Sequence, residues 1–129
     1  RYMEQHFPNG YILIAEGAYM DKRSHENNLA GMMRHMRNFD ITVESVCRTL
    51  SDRQGVAVLV TADHECGGLK LAKNKSELDR SLYTSKHHTA VDVPYFIRLQ
   101  IAAGVPADYF TERMDNTDIY RIMRSLLGV

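Results

Sequence analysis

The sequence predicts an α/β domain with a mainly parallel sheet and flanking helices. Two short apolar runs, Tyr11 to Ala15 (Tyr-Ile-Leu-Ile-Ala) and Val56 to Thr61 (Val-Ala-Val-Leu-Val-Thr), have the composition of strands buried on both faces. Between them, from Asn27 to about Arg53, apolar residues fall at Leu29, Met32, Met33, Met36, Phe39, Val43, Val46, Cys47 and Leu50. Steps of three and four make one face of a helix. Strand, helix, strand is a βαβ unit, whose crossover is right-handed and whose strands run parallel.

The elements follow in order. The first strand is entered through Pro8-Asn9-Gly10, a turn signal. The long helix carries Arg34, Arg37, Asp40, Glu44 and Arg48 on its outer face, and Gly55 is expected to close it. Its methionine-rich stripe reads as core packing, since methionine fills irregular gaps well. Leu69 to Ala72 suggests a short strand, and Lys73 to Ser85 a polar surface excursion. Tyr95 to Ile101 reads as a further strand with Pro94 at its start, where a missing N–H costs least. Gly104-Val105-Pro106 is a turn. Thr117 to Leu127 reads as a final helix with Asp115 or Asn116 as N-cap and Ile119, Ile122, Met123, Leu126 and Leu127 on its apolar face. Nothing repeats and no linker interrupts, so residues 1–129 read as part of one domain.

Composition narrows the function. The chain of 129 residues is 44% hydrophobic and 25% charged, with 16 basic and 16 acidic side chains. A nucleic-acid or membrane surface would favour a basic excess, so neither partner is expected. No apolar run approaches the roughly 20 residues that span a bilayer. Arg1-Tyr2-Met3-Glu4 is not a signal peptide. Cys47 and Cys66 make no disulfide framework and are expected as free thiols.

Three polar clusters carry the chemistry. Glu16 to His25 follows the first strand, Asp63-His64-Glu65-Cys66 follows the second, and Ser85 to Pro94 contains His87 and His88. Ligands of open α/β sheets bind beyond the carboxyl ends of the strands. Asp63 and His64 reach one bound group only if the backbone turns, which Gly67 and Gly68 allow. Asp21 and His25, four apart near a helix start, face one point. Carboxylate and imidazole together suit zinc, manganese or iron. Two such ions about 4 Å apart clamp the attacking and leaving oxygens of a phosphoryl transfer. From the residues alone, polar loops remain the competing reading, and either His87 or His88 serves as the third donor.

With these clusters in view, the chain resembles the C-terminal portion of alkaline phosphatase. The likeness lies in Glu16-Gly17-Ala18-Tyr19-Met20-Asp21-Lys22-Arg23-Ser24-His25, in Val60 to Gly68, in His88-Thr89 and in Asp115 to Ile119. It implies part of a three-layer α/β/α fold whose N-terminal half is missing. It also implies Asp21, His25 and His88 as ligands of a first zinc, Asp63 and His64 as ligands of a second, and Glu16 as a ligand of magnesium. Lys22 would contact phosphate or magnesium-site waters. The implied activity is hydrolysis of phosphomonoesters, with release of phosphate, through a phosphoserine. Ala90 departs from a glycine common after the His-Thr pair, which keeps His87 as the alternative to His88. Cys66 stands where some relatives have histidine near the first zinc; an outer or inert thiol is expected, with tuning or joining that site as the alternative. The family's Asp-Ser-Ala nucleophile segment does not occur, so the chain alone is expected to be inactive. A homodimer and a periplasmic, secreted or surface-anchored location are further implications. The alternatives are a phosphodiesterase or mutase of the same superfamily and a non-catalytic zinc-binding module.

Overall fold

A computed structural model of the chain describes residues 2–70, 82–100 and 111–128. In order, the elements are α1 (Tyr2–His6), α2 (Tyr19–His25), α3 (Leu29–Thr49), β1 (Val56–Thr61), β2 (Glu65–Cys66), β3 (His88–Thr89), β4 (Tyr95–Gln100) and α4 (Asn116–Leu127). Leu71, Ala72, most of the Lys73–Ser85 excursion and the Gly104–Pro106 turn lie outside the described residues.

Helices α2 and α3 form a tight pair. Asn27 turns the chain between them at φ 53°, a conformation asparagine tolerates better than most residues. Asn28 then caps α3, its side-chain oxygen accepting the Gly31 N–H at 2.9 Å. Leu29 and Met32, in the first turn of α3, pack with Tyr83 as a buried cluster, and Met20, Leu69 and Leu82 lie against it. Tyr83 therefore belongs to the core and not to a polar surface excursion.

Further along α3 the apolar stripe is covered in part. Phe39, Val43, Cys47 and Leu50 are half-buried while Met33, Met36 and Val46 are exposed, so among the methionines the expectation of core packing holds at Met32 and not at Met33 or Met36. The helix also ends earlier than expected. Leu50 is its C-cap, and two further turns, Ser51 N–H to Arg48 O and Arg53 N–H to Leu50 O, precede Gly55. Gly55, at φ 76°, turns the chain into β1 instead of closing the helix.

Strand β1 pairs antiparallel with β4, from Val56 opposite Gln100 to Thr61 opposite Tyr95. In β4 the half-buried Tyr95, Ile97 and Leu99 alternate with exposed Phe96 and Arg98, the period of a one-sided strand. Arg98 Nη1 donates to the Cys47 carbonyl at 3.4 Å, fastening β4 to α3. The parallel partner expected at Tyr11–Ala15 is not formed among the described residues. That segment is irregular, with Leu13 76% and Ile14 82% exposed. An apolar run becomes a strand only when a ladder satisfies its backbone groups, and β1 has its described partner on the β4 side alone. No described helix is long and apolar enough to cross a membrane.

Helix α4 starts at Asp115, which resolves the choice of cap. The Asp115 carboxylate accepts the Thr117 N–H at 2.9 Å, and the Asp118 carboxylate accepts the Asp115 N–H at 3.0 Å, a reciprocal capping box. Ile122, 1% exposed, is the deepest residue of its apolar face. Hydrogen bonds from the Thr117 backbone and hydroxyl hold the Asp115 carboxyl below its ordinary value of 3.8. A lowered folded-state pKa adds stability above the unfolded value and loses it as pH falls through the folded one. Asp115→Ala should therefore speed amide exchange at Thr117 and Asp118 at neutral pH, leaving Met123 unchanged. The contrast with the parent chain should fade on acidification below pH 3.8. Unchanged exchange at Thr117 would remove the cap from the account.

Candidate metal centre

Three elements bring the donors together. On α2, the i and i+4 spacing puts Asp21 and His25 on one face, with His25 Nε2 3.3 Å from Asp21 Oδ1. Strands β2 and β3 pair antiparallel with Cys66 opposite His88, and cross-strand partners share a face. His88 Nε2 then lies 3.3 Å from the same Asp21 oxygen and 3.1 Å from His25 Nε2. One ligand atom from each of Asp21, His25, Cys66 and His88 lies within 4.8 Å of the others.

A set of backbone contacts fixes this arrangement. Ser24, buried on α2, hydrogen-bonds the Met20 carbonyl at 2.9 Å and approaches the Tyr83 hydroxyl at 3.3 Å. Gly67 donates its N–H to the His87 carbonyl at 3.0 Å, and its own carbonyl accepts from Thr84 and Ser85. The Glu65 carboxylate accepts from Gly68 N–H at 3.2 Å, Leu69 N–H at 3.1 Å and the Thr89 hydroxyl. Burial would raise the Glu65 carboxyl, but these three donors outweigh it and leave it below its ordinary value. Glu65 is thus a clamp on the glycine turn, a role its place among the acidic candidates did not reveal.

The tautomer of His25 follows from its partner. The Lys86 carbonyl, 2.5 Å from His25 Nδ1, can only accept, so Nδ1 carries the proton and neutral His25 presents a lone pair at Nε2. That lone pair faces a carboxylate oxygen and a second imidazole nitrogen. Asp21 Oδ1 is itself buried with no hydrogen-bond partner, an arrangement that a cation at the centre would satisfy at all three atoms together. Burial would raise the Asp21 carboxyl, but the Cys66 thiol and His25, His88 and His64 outweigh it and hold it low. Burial first, then Asp21 and Glu65, pushes the Cys66 thiol up to about 12.

A second pair of donors stands beside the first set. His64 Nδ1 donates to the Glu65 carbonyl at 3.3 Å, which leaves its Nε2 facing Asp63 Oδ2 at 3.3 Å. The His64 ring stacks on His88 with centroids 3.4 Å apart, joining the two sets. The Asp63 side chain is 87% exposed. Glu16 is exposed and lines a groove with Tyr19, His35 and Phe39, apart from both donor sets. Lys22 Nζ sits 4.8 Å over the Tyr19 ring. His87 is exposed, and its described contacts to the site are made through its backbone. Cys66, which the sequence offers as a thiol that tunes or joins the first site or stays outside it, is brought beside Asp21 and His25 by its pairing with His88.

Fold and site together define an α/β protein in which α2, β2 and β3 gather four side chains that could hold a metal ion. The family model for alkaline phosphatase matches residues 3–77. The chain belongs to the alkaline phosphatase family. Among curated proteins it is 24% identical to alkaline phosphatase 4 of Bacillus subtilis over 110 residues, 85% of this chain and 23% of that protein. It is 37% identical to the repressible alkaline phosphatase of Saccharomyces cerevisiae over 62 residues, 47% of this chain and 11% of that protein. The chain therefore spans about a quarter or less of these relatives. A solved structure of a TAB5 alkaline phosphatase mutant with Mg bound in the M3 site superposes with a TM-score of 0.69 at 21% identity. It covers 88% of this chain and 34% of that one. The likeness shows that this chain has the α/β fold of those enzymes.

Proposed function

We propose that this chain is the metal-holding C-terminal part of a phosphomonoesterase that uses zinc and magnesium, and that it is inactive alone. The observation that carries the reading is the triangle of Asp21 Oδ1, His25 Nε2 and His88 Nε2, with edges of 3.3, 3.3 and 3.1 Å. A tetrahedral ion with bonds near 2.0–2.1 Å spaces its donors about 3.3–3.4 Å apart, whereas an octahedral shell at that bond length gives about 2.9 Å. The triangle thus suits zinc better than magnesium.

In this reading Asp21, His25 and His88 hold the first zinc, Asp63 and His64 belong to the second, and Glu16 belongs to magnesium. The ions, when bound, supply Lewis-acid stabilisation of phosphoryl oxygens and a nucleophile at neutral pH. The protein's own work is orientation. Lys86 O and Glu65 O each hold a histidine proton at Nδ1 and so aim both Nε2 lone pairs at the site. Lys22, once turned from Tyr19, reaches phosphate or its waters. An open cleft bordered by Asp63, His64, Thr89, Asp92 and Arg113 gives the substrate its approach. The nucleophilic serine and the remaining ligands belong to an N-terminal half. The exposed Leu13 and Ile14, and the side of β1 that has no partner among the described residues, suit cover by that half. A homodimer outside the cytoplasm completes the proposal.

The test uses the full-length protein that carries this segment, loaded with zinc and magnesium. It should hydrolyse p-nitrophenyl phosphate far faster than bis(p-nitrophenyl) phosphate, while the 129-residue chain turns over neither. Preference for the diester would replace the reading with a phosphodiesterase. Zinc binding without turnover of either ester by the full-length protein would replace it with a structural module.

A further inference from the structure

Resting on the metal-centre reading above, we infer that Cys66 is a fourth protein donor of the first site. With the cation present, its thiolate joins Asp21, His25 and His88 and makes the centre selective for zinc over magnesium.

Geometry points to this role. Cys66 is the cross-strand partner of His88 on β2, so both side chains lie on the face turned to α2. Its Sγ–H reaches the Asp21 carbonyl at 3.8 Å, and the four ligand atoms lie within 4.8 Å of one another. A cysteine kept only for packing has apolar neighbours, whereas this half-buried thiol lies among the Asp21 carboxylate and the His25 and His88 rings. The other cysteine, Cys47, is on α3, and both are free. With a zinc–sulfur bond near 2.3 Å, a tetrahedral site spaces sulfur about 3.5 Å from each nitrogen or oxygen donor. Closing the set therefore takes a movement of about 1 Å, within reach of one χ1 adjustment.

The step is a ligand exchange without redox change. The S–H bond breaks, a sulfur–metal bond forms, and the proton leaves to solvent. A soft thiolate favours zinc, cobalt or cadmium, whereas magnesium takes oxygen donors. Zinc sites expand to five donors at the transition state, so an oxygen of the substrate still has a place.

The test loads the 129-residue chain with cobalt(II) as a spectroscopic stand-in for zinc. The parent chain should show visible ligand-field bands and a near-ultraviolet sulfur-to-cobalt charge-transfer band. Cys66→Ser should keep the first and lose the second. Its zinc affinity should fall by more than the ~10–100-fold typical of losing an outer-shell partner. In the parent chain, bound zinc should also protect Cys66 from iodoacetamide while Cys47 reacts as before, a readout that needs no variant. Ligand-field bands without the charge-transfer band, or equal alkylation of Cys66 with and without zinc, would overturn the inference and leave the three-donor site standing. No cobalt bands at all would overturn both.

Discussion

Asp21→Ala should abolish stoichiometric zinc binding by the chain. Asp21 Oδ1 is the vertex that both His25 Nε2 and His88 Nε2 approach at 3.3 Å. Its loss removes a donor and the one negative charge of the Asp-His-His triangle. His25, His88 and the Cys66 thiol remain, without the carboxylate oxygen that both ring nitrogens approach. Losing a ligand should cost more than the ~10–100-fold that follows loss of an outer-shell partner. Elemental analysis after dialysis against a weak chelator should give one zinc per parent chain and none on the variant. His88→Ala should behave alike, and His87→Ala should bind as the parent does, because the exposed His87 ring stands outside the donor set. Zinc lost from His87→Ala and kept by His88→Ala would reverse the assignment.

The largest effect on stability is expected at Gly67→Ala. Gly67 sits at φ +89°, and an added Cβ would lie 2.5 and 2.7 Å from the Tyr83 ring carbons Cδ1 and Cε1. The backbone conformation costs roughly 1–2 kcal/mol for a residue with a side chain, and overpacking adds roughly 1–3. The sum, about 2–5 kcal/mol, is a large share of the ~5–15 kcal/mol that holds a domain together. Tyr83 cannot step aside freely, since it packs on Leu29 and Met32 and meets Ser24. Urea unfolding should shift to a clearly lower midpoint, and zinc affinity should drop too, because Gly67 carries the contacts that seat β3. A midpoint within error of the parent would mean that the turn relaxes and that this packing is not critical.

Local signals in the sequence were read correctly where local forces decide. The capping chemistry of Asp115, the periodicity of α3, the β-branched run of β1 and the i, i+4 pairing of Asp21 with His25 all involve neighbours within a turn or a strand. What escaped depends on distant partners. Tyr11–Ala15 has the composition of a buried strand but no ladder among the described residues to make it one. Met33 and Met36 have the spacing of core residues but are exposed, with nothing over them among the described residues. Tyr83 sits after a polar stretch, and its burial comes from distant partners: Leu29 and Met32 of α3, Ser24 of α2 and the Gly67 turn. The choice of His88 over His87 rested on the family likeness. One residue of register decides it, and that register is set by β2, more than twenty positions earlier.

The donor set also spans the chain. His25 and His88 are 63 positions apart, so bringing their nitrogens together costs loop-closure entropy on the order of 4 kcal/mol. An unfolded chain offers the ion only the local Asp21–His25 pair, whenever α2 flickers into being. Grip arrives when β3 docks against β2 beside that helix, at the end of assembly and not at its beginning. A cation held there would be a latch on the finished topology. It would slow the chain's undoing and leave the earliest steps of its making at their own pace.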